Sequence, residues 1–212
     1  TLGGNVIVTS QNSDSGNAAG NITFDSANII TGASTLALDG DTVTLYQVGN
    51  GTTDPTQLTV TADTSLSLNA DLTVDGAVDL SSNVASIALA ANSAIDASGG
   101  TNAAISLAGT TGDFDLTLTG DSASAVGLNA VDVDALAVTG TLTLNDNITV
   151  DDSVDLSTNV ASITLAANSV IDVAAGGADQ AITLADVTGD FDLTLTGDSA
   201  SAVGLNAVDV DA

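Results

Sequence analysis

The 212-residue chain has no lysine, arginine or histidine, no cysteine, methionine or tryptophan, one proline, one tyrosine and three phenylalanines. Without a cationic side chain, nucleic acid is excluded as a partner on electrostatic grounds. The ordinary anchors for phosphate, anionic lipid headgroups and carboxylate substrates go with it. Without cysteine there are neither disulfides nor thiolate metal sites. No Ser-His-Asp or Cys-His set can be assembled, so base chemistry would fall to aspartate alone. Paired carboxylates of the glycosidase kind carry no signal among so many aspartates. The expectation is a protein that is not an enzyme. No apolar run approaches the roughly 18 residues of a membrane-spanning helix. Phe24, Tyr46, Phe114 and Phe191 are too few to build the aromatic girdle of a transmembrane barrel. Membrane insertion is therefore not expected.

What is present is apolar and acidic together. All 27 acidic residues are aspartate, the formal charge is −27, and 44% of residues are hydrophobic. High acidity with few aromatics suits disorder, but this apolar content and a mean hydropathy of +0.39 favour a packed core.

The chain is also repetitive. Residues 111–135, TGDFDLTLTGDSASAVGLNAVDVDA, return unchanged at 188–212. Upstream, LSLNADLTVDGAVDLSSNV (66–84) aligns with LTLNDNITVDDSVDLSTNV (142–160) at an offset of 76, and VASIALAANSAID (84–96) with VASITLAANSVID (160–172). One extra residue in the Gly-rich stretch between Ile171 and Ile182 makes the later offset 77, as expected of a loop that absorbs length. The organisation is read as residues 1–65, divergent strand repeats; 66–141, a first copy; and 142–212, a second copy of an array expected to continue.

Period-two alternation of Val, Ile, Leu, Phe and Thr with polar residues, bounded by Gly, Asn or Asp, reads as short strands and turns throughout. In the second copy strands begin at Leu142, Ile148, Val154 and Val160, leaving little room for corners. That pacing is too tight for a sandwich. The fold class expected is all-β, a parallel β-solenoid (β-helix) of short strands, with a string of small β-sandwich domains as the alternative. Coil starts at Leu142, Val160, Ala181 and Ser201 give about 18 to 21 residues per coil and about four coils per copy. Phe114, Leu116 and Leu118 are expected to point inward, with Phe191, Leu193 and Leu195 repeating them. Ala90, Ala91, Ala166 and Ala167 are expected at corners.

Candidate metal ligands are Asp113, Asp115, Asp132, Asp134, Asp146, Asp151, Asp152, Asp190, Asp192, Asp209 and Asp211. Clustered carboxylates are hard-oxygen ligands, and calcium is the cation they suit. The competing reading is a solvated acidic surface that maintains solubility. Neither an EF-hand loop nor a glycine-rich calcium nonapeptide is present. Thr117 with Thr119, and Thr194 with Thr196, suggest as a remote alternative the threonine array of an ice-binding surface. Asn21, Asn50 and Asn147 open Asn-x-Thr sequons.

The strand and turn grammar of GNITFDS, STLALDGDTVTL, QLTVTADTSLSLNADLTVDG and FDLTLTGD resembles the repeat regions of large secreted bacterial adhesins of the filamentous-haemagglutinin and autotransporter kind. That resemblance implies a right-handed parallel β-solenoid stalk, secretion to the cell surface or beyond, and a role in adhesion or matrix. The function expected is a structural segment of an extracellular fibre or adhesin stalk. Its partners would be further copies of itself or a cell-surface or matrix component. A calcium-dependent binding module is the alternative.

Overall fold

In the computed structural model, residues 1–212 are described except 11–19, 25, 28, 102, 122–123, 175–179, 199–200 and 211–212. The expected alternation forms strands, and they pair in parallel in every ladder among the described residues, a pattern that hairpins of a sandwich string would not produce. The protein is a parallel β-solenoid of about eight turns.

Each turn lays down three strands, one on each face of a three-sided rod. The first face runs through Leu36, Leu58, Val78, Ile105, Val126, Leu142, Ile163, Val187 and Val208, each paired with the next. The second runs through Val43, Leu66, Ile87, Thr110, Val131, Ile148, Ile171 and Leu195. The third runs through Val48, Leu72, Ile95, Leu118 and Val138. It continues through Val154, Ile182 and Val203, the strand Val154–Leu156 packing on Leu136–Leu144. Along the first face, successive turns take 22, 20, 27, 21, 16, 21, 24 and 21 residues, a wider spread than the sequence pacing suggests.

Because strands alternate in and out, every second residue enters a dry interior in which like stacks on like. Leu58, Val78, Ile105, Val126, Leu142, Ile163 and Val187 form one such stack, each no more than 2% exposed. Burying an aliphatic side chain contributes on the order of 1.5–3 kcal/mol, so these stacks are the main favourable term. Thr110 stands in the second-face stack at 0% exposure, and its hydroxyl is satisfied by the Ala108 carbonyl at 3.0 Å. Ser93 and Ser169 turn inward at corners and donate to Ala91 and Ala167 carbonyls, each at 3.0 Å. Among the described residues no buried side-chain polar atom lacks a hydrogen-bond partner.

The corners follow from the turn residues. Asn69, Asn129 and Asn145 each donate from Nδ2 to a carbonyl of the preceding turn, at Leu45, Leu107 and Leu128. Long strands such as Thr35–Leu45, Gln57–Leu68 and Leu136–Leu144 pass from one face to the next, and register shifts at Gly40/Thr42, Thr59/Thr61 and Gly140/Leu142 accompany the bend. Leu116 and Leu118 point inward as expected, but Phe114 is only partly buried against the core. Ala90 and Ala166 do lie at corners, facing solvent.

One expectation changes in a way that matters below. The first copy contains eleven strand positions, at Leu66, Leu72, Val78, Ile87, Ile95, Ile105, Thr110, Leu118, Val126, Val131 and Val138. With three per turn, a copy occupies three and two-thirds turns, not four. Equivalent strands therefore lie on different faces. Val78 is on the first face and its counterpart Val154 on the third; Leu66 is on the second and its counterpart Leu142 on the first.

Candidate functional site

The corner between the second and third faces gathers five of the expected aspartates. Asp113 and Asp115 flank Phe114 on one turn, Asp134 follows the strand Val131–Val133 on the next, and Asp151 and Asp152 follow Ile148–Val150 on the third. The backbone fixes this stacking: the Asp134 amide donates to the Phe114 carbonyl (3.1 Å), and the amides of Asp151 and Asp152 donate to the Asp134 carbonyl (3.1 and 3.0 Å). All five side chains are exposed. The Asp134 carboxyl is raised above the ordinary carboxylate range, first by partial loss of hydration at the corner and then by Asp151, Asp115, Asp152 and Asp113.

The remaining candidates do not join this stack. Asp132 projects from the second face with Thr111 and Thr149 as ladder neighbours, and Asp209 has Thr188 beside it. Asp146 accepts the amide of Asn147 at 2.8 Å. Asp190 and Asp192 flank Phe191 near the second copy's end, and the Asp192 amide donates to Asn168 Oδ1 at 3.1 Å. Asp211 lies outside the described residues. Among the described residues no group of three or more carboxylates is arranged to hold a metal ion.

Two aspartates outside the expected set have the strongest local environments. Asp155 accepts the Ser157 amide (2.9 Å) and hydroxyl (2.7 Å), the Thr158 amide (3.2 Å) and hydroxyl (2.5 Å), and the Thr183 hydroxyl (2.9 Å). Its carboxyl is held far below the ordinary range, led by the Thr158 hydroxyl and then by Ser157. Asp79, its counterpart in the first copy, accepts from the amides and hydroxyls of Ser81 and Ser82 at 2.7–3.1 Å. Burial alone would raise the Asp79 carboxyl, but these four hydrogen bonds outweigh it and the net direction is downward. The signal was the Asp-Leu-Ser-Ser and Asp-Leu-Ser-Thr spelling, which places donors two and three residues after a carboxylate. Asp54, 3% exposed, closes the loop before Pro55 by accepting the amides of Asn50 (2.6 Å) and Gly51 (3.0 Å).

These shifts fix the sign of the pH dependence. Asp79 and Asp155 have depressed folded-state values, so their stabilisation is present above about pH 4 and lost as pH falls further. Asp134 is raised, so its penalty is relieved as pH falls from neutrality toward about 4. The melting temperature is expected to rise as pH falls from neutrality toward the ordinary carboxylate range and to fall once pH drops below that range. Asp134→Asn should flatten the first limb and Asp155→Asn the second. Thermal melts across this range check it, and a profile unchanged by both variants would contradict the assignment.

The threonine pairs do not form a flat array among the described residues. Thr117 lies beside Ala94 and Ala137 on the third face, whereas Thr194 lies beside Val170 on the second. The sequon residues Asn21, Asn50 and Asn147 are exposed. No helix among the described residues is long and apolar enough to cross a membrane.

Fold and surface together define a three-sided parallel β-solenoid repeat protein with an aliphatic interior and a carboxylate-lined exterior. No family model, curated protein or solved structure matches the chain.

Proposed function

We propose that this chain is a structural segment of an extracellular fibre or adhesin stalk, in which tandem coils set length and the acidic surface governs association. The observation that carries this reading is the continuity of the first- and second-face ladders along the rod, with no break between the two sequence copies: Val126 pairs with Leu142 and Val131 with Ile148 across the junction, while on the third face one ladder stops at Val138 and another begins at Val154. Repeats joined this way lengthen an object without changing its cross-section. A chain lacking His, Lys, Arg and Cys brings little to catalysis. It also presents no site to a protease that cuts after Lys or Arg. Export to the cell surface or matrix, with adhesion there, completes the reading on the strength of the adhesin-like strand grammar.

The crowded corner around Asp134 favours a second reading, a calcium-dependent binding module. Two carboxylates on neighbouring turns about 4.8 Å apart repel by roughly 0.9 kcal/mol even in bulk water. A divalent ion reverses that sign. The two readings separate in one experiment, in which melting and sedimentation of the chain are followed in calcium, in magnesium and with chelator. The stalk reading expects similar small stabilisation by either cation, a folded apo form, and side-by-side association once charge is screened. Unfolding on chelation, or stabilisation by calcium alone, would transfer the function to the carboxylates. A monomer that never associates in any of these conditions would count against the fibre.

A further inference from the structure

The surface of one copy and the surface of the next do not face the same way. At the corner between the second and third faces, the Asp115 amide donates to Asn92 Oδ1 at 3.2 Å, and the Ala94 amide to Asp71 Oδ1 at 2.9 Å. The same two bonds recur in the second copy, from Asp192 to Asn168 at 3.1 Å and from Val170 to Asn147 at 2.8 Å, but at the corner between the first and second faces. Local structure is thus conserved while its position around the rod is not. The cause is the eleven-strand copy: eleven is not a multiple of three, so every copy starts one face away from its predecessor.

We propose that this repeat is an indexing unit, which moves equivalent corners by one-third of a turn per copy so that lateral contacts made through any one of them reach neighbours on successive sides of the rod. A repeat of four whole coils would place every such corner on one edge, suited to a single flat partner or a two-dimensional sheet. The observed repeat suits a three-dimensional bundle whose neighbours are further copies of the same chain. Three tandem copies, thirty-three strands, would return to the starting edge. The identity of the neighbours rests on the fibre reading above; the indexing does not.

The test uses the absence of native cysteine. Spin labels are attached to the intact chain at Thr117→Cys and Thr194→Cys, equivalent exposed positions in the two copies. In-phase copies four turns apart would give a separation of about 19 Å along the axis. Indexed copies are about 18 Å apart along the axis and also lie on different faces, so the separation should be about 27 Å. A pulsed electron-resonance distance near the larger value is expected, and one near the smaller value would overturn the proposal. Sedimentation of the same labelled protein with divalent cations reads the fibre separately. A long distance in a chain that never associates leaves the indexing intact and removes the fibre.

Discussion

Replacing Leu128 by alanine should destabilise the 212-residue chain by about 2–5 kcal/mol, whereas the same replacement at Leu205 should cost less than about 1 kcal/mol. The two leucines occupy identical positions in an identical stretch of 25 residues, so helix or strand propensity, turn chemistry and nearest neighbours in sequence are all matched. They differ in what lies on top. Leu128 is 0% exposed beneath Leu144, and Leu205 is 49% exposed. Val126 and Val203 differ in the same way, at 0% and 51%. Denaturant titration of both variants of this 212-residue chain therefore measures chiefly what a following turn stacked on the leucine contributes. Equal losses at the two sites would mean that within-turn contacts, not stacking between turns, hold the fold.

A comparably large effect is expected at Gly112. Its φ of 149° lies in the region that side-chain-bearing residues avoid, and an added Cβ would sit 2.8 Å from the Leu89 carbonyl oxygen and 3.0 Å from Leu89 Cβ. Gly112→Ala should cost about 3 kcal/mol, the upper range for a strained backbone position. Three residues earlier, Gly109 has nothing closer to an added Cβ than the Ala130 carbonyl at 3.9 Å. Gly109→Ala should therefore be neutral or stabilise by roughly 0.5 kcal/mol through the unfolded chain. Thermal unfolding of the pair checks this, and matched behaviour would show that the chain relaxes freely at this corner.

Much of this architecture is legible in the strand grammar, because period-two alternation reports which residues enter the interior. Leu116 and Leu118, with Leu66, Leu68 and Ile105, sit where alternation places them. Alternation does not report which face a strand occupies. Counting faces requires recognising that Gln57–Leu68 and Leu136–Leu144 each cross a corner and serve two faces; Gly140, with a φ of 123°, marks the bend in the second, but a glycine inside an alternating run does not by itself say that the face changes. That is why the copy reads as four coils in sequence and as three and two-thirds in space. The acidic corner is similarly half legible. Asp113 with Asp115, and Asp151 with Asp152, are visible as pairs, but their meeting at Asp134 depends on turns of unequal length. Asp79 and Asp155 were readable locally, from the hydroxyl residues that follow them.

The direction of the backbone hydrogen bonds has a consequence for how such a rod would carry load. In the ladders they run along the rod, while the strands run across it. Tension applied to the two ends would then load one turn's bonds at a time, in the peeling geometry, instead of shearing many turns together. A freed turn of 21 residues, such as that between Val187 and Val208, extends to about 70 Å, against a rise of about 4.8 Å when wound. Such a rod would yield in steps, lengthening roughly fifteenfold per released turn and dissipating work at each one. It would behave as an extensible tether with a quantised stroke, rewinding when the pull relaxes.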